Sequence, residues 1–143
     1  MCTMTPLQQH ELRITVTPGD LPEDGFSNHV NNARYFAFIN RTFQSWYRAM
    51  DIRGGVPGFA AMMAHVSYDF LQEVPYPGVV LCQLRVVKVG RTSLEHAIEM
   101  WNVSAQPVLA GRGKVVHVWF DRAAASPAAW PAEVLAKCWA PKP

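Results

Sequence analysis

The sequence predicts an α+β fold in which a long central helix is wrapped by a curved antiparallel sheet of five to six strands. Three observations carry this prediction. A single segment starting at Asn31 places apolar residues at the helical period, and it is the only long one to do so. Everything after it reads as long strands. The links between those strands are short turns, which forces antiparallel neighbours. A lone apolar helix needs sheet around it to be covered.

Glu11 to Thr17 (ELRITVT) alternates and is β-branched, as a first strand should be. PGDLPEDGFSN follows and is rich in Pro, Gly, Asp and Asn, so it is a loop; it carries Asp20, Glu23 and Asp24. In the helix, Phe36, Ile39, Phe43, Trp46 or Tyr47, and Met50 fall on one stripe. Asn40, Arg41, Gln44, Ser45 and Arg48 fall on another, while Tyr35 and Phe38 widen the apolar side. The helix is expected to end near Asp51, before RGGVPG. Strands follow in HVSYDFLQEV, VVLCQLRVVKV, SLEHAIEMWNV and KVVHVWFD, separated by the turns PYPG, VGRT and SAQP–AGRG. SPAAWPAEVLAKC closes the chain as a short helix. At 143 residues, with no repeat or linker, residues 1–143 form one domain.

Composition excludes several classes. A net charge of +2 with no basic run argues against nucleic acid. Cys2, Cys82 and Cys138 are odd in number and far apart, which argues against a disulfide framework and a cysteine zinc site. Cys82 sits in an apolar strand pattern as a small core residue. No segment resembles a signal peptide or approaches the roughly 20 apolar residues of a membrane span, so the expected location is the cytoplasm. No metal is expected. A sheet rolled around one helix leaves edge strands exposed, which predicts a homodimer or homotetramer.

SNHVNNARYF, residues 27–36, crowds one histidine and three asparagines at the helix start. Asparagine is a good cap, so Asn31 or Asn32 is read as the helix cap. A helix N-terminus also offers free N–H groups and partial positive charge to an oxygen on which negative charge develops. His29 is a candidate base or a loop-holding residue. No nucleophile-elbow pattern occurs. Asp69 lies on a strand on the same side as His65 and Ser67.

The order of elements and the motif HVNNARY together resemble the hot-dog-fold acyl-CoA thioesterases of the 4-hydroxybenzoyl-CoA thioesterase type. HVSYDFLQEVPYPG, VVKVGRTSLEHAIEM and VHVWFDRAAASPAAWP resemble later strands of that family, so the likeness spans the chain. It implies an acyl-CoA substrate and no cofactor. The Asn32 backbone amide would polarise the thioester carbonyl, and a loop carboxylate would act as nucleophile or general base. The family aspartate position falls on Gly25 here, and Asp24 stands one residue before it. Asp24 is therefore the expected carboxylate, with Asp69 in reserve. A second hot-dog lineage carries its acid on the helix, but no Asp or Glu occurs between Val30 and Met50. Arg91, Thr92 and Ser93 in the VGRTS turn would meet the CoA, and Tyr35 would border the acyl group. A dehydratase or hydratase of the same fold and a non-catalytic acyl-CoA binder are the alternatives.

Overall fold

A computed structural model of the chain describes residues 4–6, 9–50 and 56–141. The main sheet contains β2 (His10–Thr15), β3 (Phe59–Phe70), β4 (Val79–Val89), β5 (Ser93–Asn102), β6 (Val108–Asp121) and the short β7 (Ser126–Pro127). Its order is β2-β4-β5-β6-β3, antiparallel throughout, with β7 paired to β6. β1 (Met4–Pro6) and β8 (Trp139–Pro141) form a separate two-stranded ribbon. The helices are α1 (Asn32–Ala49) and α2 (Ala132–Cys138). Among the described residues no helix is long and apolar enough to cross a membrane.

Strict alternation builds the inner face of the sheet. Val80, Cys82, Leu84 and Val86 of β4 are buried, as are Leu94, His96, Ile98 and Met100 of β5. Each fully buried aliphatic side chain contributes about 1.5–3 kcal/mol. Register shifts between Met63 and His65, Val86 and Lys88, and Met100 and Trp101 are bulges. Bulges raise local twist, which lets the sheet curl around the helix. Gly111 and Gly113 admit the close approach of β3, because a Cβ at either would collide with Tyr68 or Ser67.

α1 runs along the inner face, from Tyr35 stacked on Tyr68 (centroids 5.3 Å apart) to Tyr47 beside Trp119. Its buried stripe is Tyr35, Phe38, Ile39, Thr42, Phe43 and Trp46. Phe36, expected on the stripe, is 39% exposed. Tyr35 and Phe38 take the buried positions instead, because the buried stripe runs through residues 35, 38, 39, 42, 43 and 46 and leaves Phe36 on its flank. The helix ends at Ala49; Asp51 lies outside the described residues. The HVSYDFLQEV strand begins earlier than expected, at Phe59, and stops at Phe70. There the N–H groups of Leu71 and Gln72 both turn to the Ala110 carbonyl. The KVVHVWFD strand, β6, begins at Val108, six residues before the expected start.

The core holds two histidines at alternating inner positions, His96 (0% exposed) and His117 (2%). Burial pushes His96 down to about 3, with His117 adding to the effect, and pushes His117 down to about 4. The unfolded chain takes up these protons near pH 6.5. The folded chain resists them until much lower pH, so stability falls as pH drops from about 6.5 towards 4. The slope is up to about 1.4 kcal/mol per pH unit for each histidine. Urea midpoints should therefore be clearly lower at pH 5 than at pH 7, and His96→Leu should flatten the difference. Equal midpoints for the wild type at the two pH values would show that the histidines protonate freely in the fold.

Candidate active site

The first turn of α1 is fixed from two directions. On one side, the residues before it are joined to the segment after β3. Val30 N–H donates to the Val74 carbonyl at 2.9 Å, and Tyr76 N–H donates to the Asn28 carbonyl at 3.0 Å. Asn28 Nδ2 donates to the Tyr76 carbonyl at 2.8 Å, and His29 bridges Pro75. On the other side, Asn31 N–H donates to the Asp20 carbonyl at 2.8 Å. Much of the asparagine cluster is thereby explained as construction of the helix entrance.

Asn31 is the cap. Its backbone is extended and its Oδ1 accepts from Ala33 N–H at 3.1 Å, while its carbonyl accepts from Arg34 N–H. Among the described residues this leaves the Asn32 N–H without a hydrogen-bond partner. That free donor sits at the positive end of the helix dipole.

Asn32 lines a cleft of about 180 Å³ together with His29, Val30, Tyr35, Phe70, Leu71, Gln72 and Glu73. His29 Nδ1 lies 3.2 Å from the Val30 carbonyl and Nε2 lies 3.6 Å from Glu73 Oε2. Both neighbours, the Val30 carbonyl and the Glu73 carboxylate, are acceptors, so the ring stands between two groups that can each take a hydrogen bond from it. Tyr35 closes the inner wall, packed edge-on to Phe70 at 5.3 Å. Burial raises its hydroxyl above the usual tyrosine range.

The expected residues are distributed unevenly around this cleft. His29, Asn32 and Tyr35 line it, and Asn31 caps the helix beside it. Asp24 is exposed and turned onto its own loop. Its Oδ1 accepts from the N–H groups of Phe26 (3.0 Å) and Ser27 (2.8 Å), and its Oδ2 accepts from the Ser27 hydroxyl. These bonds, led by the Ser27 hydroxyl, hold its carboxyl below the usual range. Asp69 lies on the sheet face opposite α1, since its neighbours Tyr68 and Phe70 pack on Tyr35. It shares a shallow outer depression with Arg85, Glu99, Arg112 and Lys114. Arg91, Thr92 and Ser93 form the β4–β5 turn, with the Thr92 carbonyl accepting from Trp119 N–H. Trp119 stacks on Phe59, so this turn sits at the opposite end of β3 from the cleft.

Two carboxylates near the helix entrance were not singled out as site candidates from the sequence. Glu73 is the carboxylate of the cleft; it lies just past β3, within the stretch read as strand. Asp20 is 3% exposed and holds the entrance in place. Its Oδ1 accepts from Arg34 Nε at 3.0 Å and its Oδ2 accepts from Thr17 N–H at 2.9 Å and the Thr17 hydroxyl at 3.1 Å. Burial pushes its carboxyl up, but the Thr17 and Arg34 bonds together outweigh this and hold it below the usual range. Among the described residues no cluster of His, Cys, Asp or Glu could hold a metal ion.

A helix set in a curved six-stranded antiparallel sheet, with a cleft at its N-terminus, is the hot-dog fold of thioesterases. The chain belongs to the thioesterase-like superfamily, whose profile matches residues 16–138. Among solved structures it is similar to the PA2801 protein of Pseudomonas aeruginosa, at 23% identity over 92% of this chain and 98% of that one, with a TM-score of 0.80. It is also similar to Slr0204 of Synechocystis, a 1,4-dihydroxy-2-naphthoyl-CoA thioesterase (18% identity, 88% and 92% covered, TM-score 0.75). A third likeness is to SAV2348 of Staphylococcus aureus in complex with CoA (13% identity, 91% and 81% covered, TM-score 0.79). At these identities the likeness establishes the fold. No curated protein sequence matches significantly.

Proposed function

We propose that this chain is an acyl-CoA thioesterase of the 4-hydroxybenzoyl-CoA thioesterase type, hydrolysing acyl-CoA to a free acid and CoA without a cofactor. The observation that carries the reading is the unpartnered Asn32 N–H beside the His29–Glu73 pair in one cleft. The thioester carbonyl oxygen accepts from Asn32 N–H, where the negative charge of the tetrahedral intermediate is stabilised. Water attacks the carbonyl carbon as His29 Nε2 takes its proton, and the Glu73 carboxylate stabilises the imidazolium. The C–S bond then breaks, and the proton passes from His29 to the departing CoA thiolate. Superfamily membership and the CoA held by SAV2348 support the substrate class. A dehydratase reading lacks its helix acid, since α1 contains no Asp or Glu.

The roles are separable by substitution. Glu73→Gln and His29→Gln should each lower acyl-CoA turnover by about 100-fold or more, the lower end for losing a positioned base. Asp24→Asn and Asp69→Asn should stay within a few-fold of wild type. Asn32→Pro removes the donor and should abolish turnover in a folded protein, whereas Asn32→Ala should not. An inactive Asp24→Asn beside an active Glu73→Gln would return the chemistry to the residue expected from the sequence.

The same reading includes a homodimer, or a pair of such dimers, formed through β3. This strand ends the sheet order and leaves Met62 (51%), Met63 (40%) and Phe70 (46%) exposed. Antiparallel pairing about a twofold axis sets the Phe59 end of one β3 beside the Phe70 end of the other. The Arg91 turn of the partner subunit then comes beside the cleft, where its guanidinium suits a CoA phosphate. Light scattering at micromolar concentration should give at least twice the 16.0 kDa chain mass. A monomer would remove this part of the account.

A further inference from the structure

The solvent side of α1 carries a file of cations. Arg34, Arg41 and Arg48 recur every seven positions, and all three are exposed. About two turns of helix separate neighbours, about 10.5 Å at 1.5 Å per residue, so the three share one face. Ala37 and Gln44 stand between them on that face.

Exposed helices normally mix the signs of their charges, because a carboxylate three or four positions from an arginine stabilises both. No Asp or Glu occurs anywhere in α1. The positions one turn to either side of Arg41 hold Ala37, Phe38, Gln44 and Ser45. Among the described residues Arg41 and Arg48 form no ion pair. Arg34 gives its Nε to Asp20, which leaves its two terminal amino groups without a partner among the described residues. Asp24, in the loop before the helix, is turned onto its own loop and neutralises none of them. At the far end Lys137 Nζ donates to the Met50 carbonyl at 2.8 Å and adds a fourth cation. The helix dipole favours cations at that end, but it does nothing for Arg41 in the middle.

We propose that this face is a docking surface for an acidic α-helix of a partner protein, whose carboxylates recur every seven positions opposite Arg34, Arg41 and Arg48. Charge complementarity selects the occupant. A second copy of this chain would set one cationic file against another and be repelled. The file is one residue wide, with Ala37 and Gln44 between its arginines, and so lacks the apolar strip of a helix that lies in a membrane surface. Two helices packed nearly parallel keep their heptad positions in register, which repeats the same pairing along the ridge. Each guanidinium matches a carboxylate through paired N–H donors. None of the three arginines lines the cleft, and the assignment does not rest on turnover.

Two synthetic peptides of about 21 residues, long enough to hold a helix, test it. Both carry three Glu in an otherwise neutral Ala- and Gln-rich sequence. One places them at heptad spacing on a single face, and its isomer distributes them around the helix. In NMR titrations at low salt the heptad peptide should bind about 10-fold more tightly than the isomer, as expected of three exposed ion pairs that the isomer cannot make together. It should move the arginine side-chain resonances of Arg34, Arg41 and Arg48 but not that of Arg85, which lies on the outer sheet face. Salt at about 0.5 M should weaken the binding. Arg41→Glu should abolish the preference, and a heptad peptide with its central Glu replaced by Arg should restore it. Equal affinity for the two peptides, binding of neither, a preference that survives Arg41→Glu, or binding to phosphatidylglycerol vesicles in place of the heptad peptide would each overturn the proposal.

Discussion

Everything the candidate site can do depends on where the first turn of α1 is held, and that is decided by a buried carboxylate. Asp20 lies among Thr17, Arg34 and the Asn31 backbone, 3% exposed and fully hydrogen-bonded. A buried carboxylate is tolerable only when paired in this way. Once it is paired, the loop after β2 has one place to run, and Asn31 arrives at the helix start with its cap already set. The segment from Val74 to Tyr76 closes the other side through backbone bonds. The unpartnered Asn32 N–H is the product of this construction: its neighbours along the turn are satisfied, and Asn32 itself lines the cleft.

The curvature of the sheet then determines what lies along the rest of the helix. Bulges in three of the long pairings bend the strands around α1, and glycines at 111 and 113 let β3 close against β6. The cleft forms where β3 ends at Phe70. At the other end, Ala60, Ala61 and Met63 face the C-terminal half of the helix across a second cavity. Tyr35, Tyr68 and Phe70 form one aromatic group and Phe43, Trp46, His96 and His117 another, so both ends are walled by flat rings. Differences in polar content give the ends different chemistry. The cleft has a free backbone donor and a histidine–carboxylate pair, whereas the distal cavity has a neutral imidazole.

Much of this fold was legible in the sequence because local patterns and global packing agree. Alternation fixed β4 and β5 almost to the residue, and the pair Asn31 and Asn32 marked the cap to within one residue. His96 and His117 were not singled out in the sequence; they take inner positions whose chemistry depends on neighbours that only the folded sheet brings together. The site was less legible wherever it depends on pairing across a loop. Asp20 and Arg34 are fourteen positions apart, and nothing local distinguishes Asp20 from Glu23 or Asp24. Asp24 lies nearest the motif in sequence, yet its oxygens serve its own turn. Glu73 was hidden by an apolar run that reads as strand for four residues beyond its actual end. Phe36 illustrates the same limit: periodicity located the buried face to within one residue, and packing on Tyr68 and Phe70 selected Tyr35.

The central claim is that the Asn32 amide holds the carbonyl oxygen of an acyl-CoA. A crystal structure with a non-hydrolysable analogue, the thioester sulfur replaced by a methylene group, tests it directly. The ketone oxygen should lie about 2.7–3.1 Å from the Asn32 nitrogen, the distance expected of an oxyanion donor, with His29 and Glu73 on the attacking side. A carbonyl bound away from the α1 entrance, with the Asn32 N–H pointing at solvent, would contradict the account.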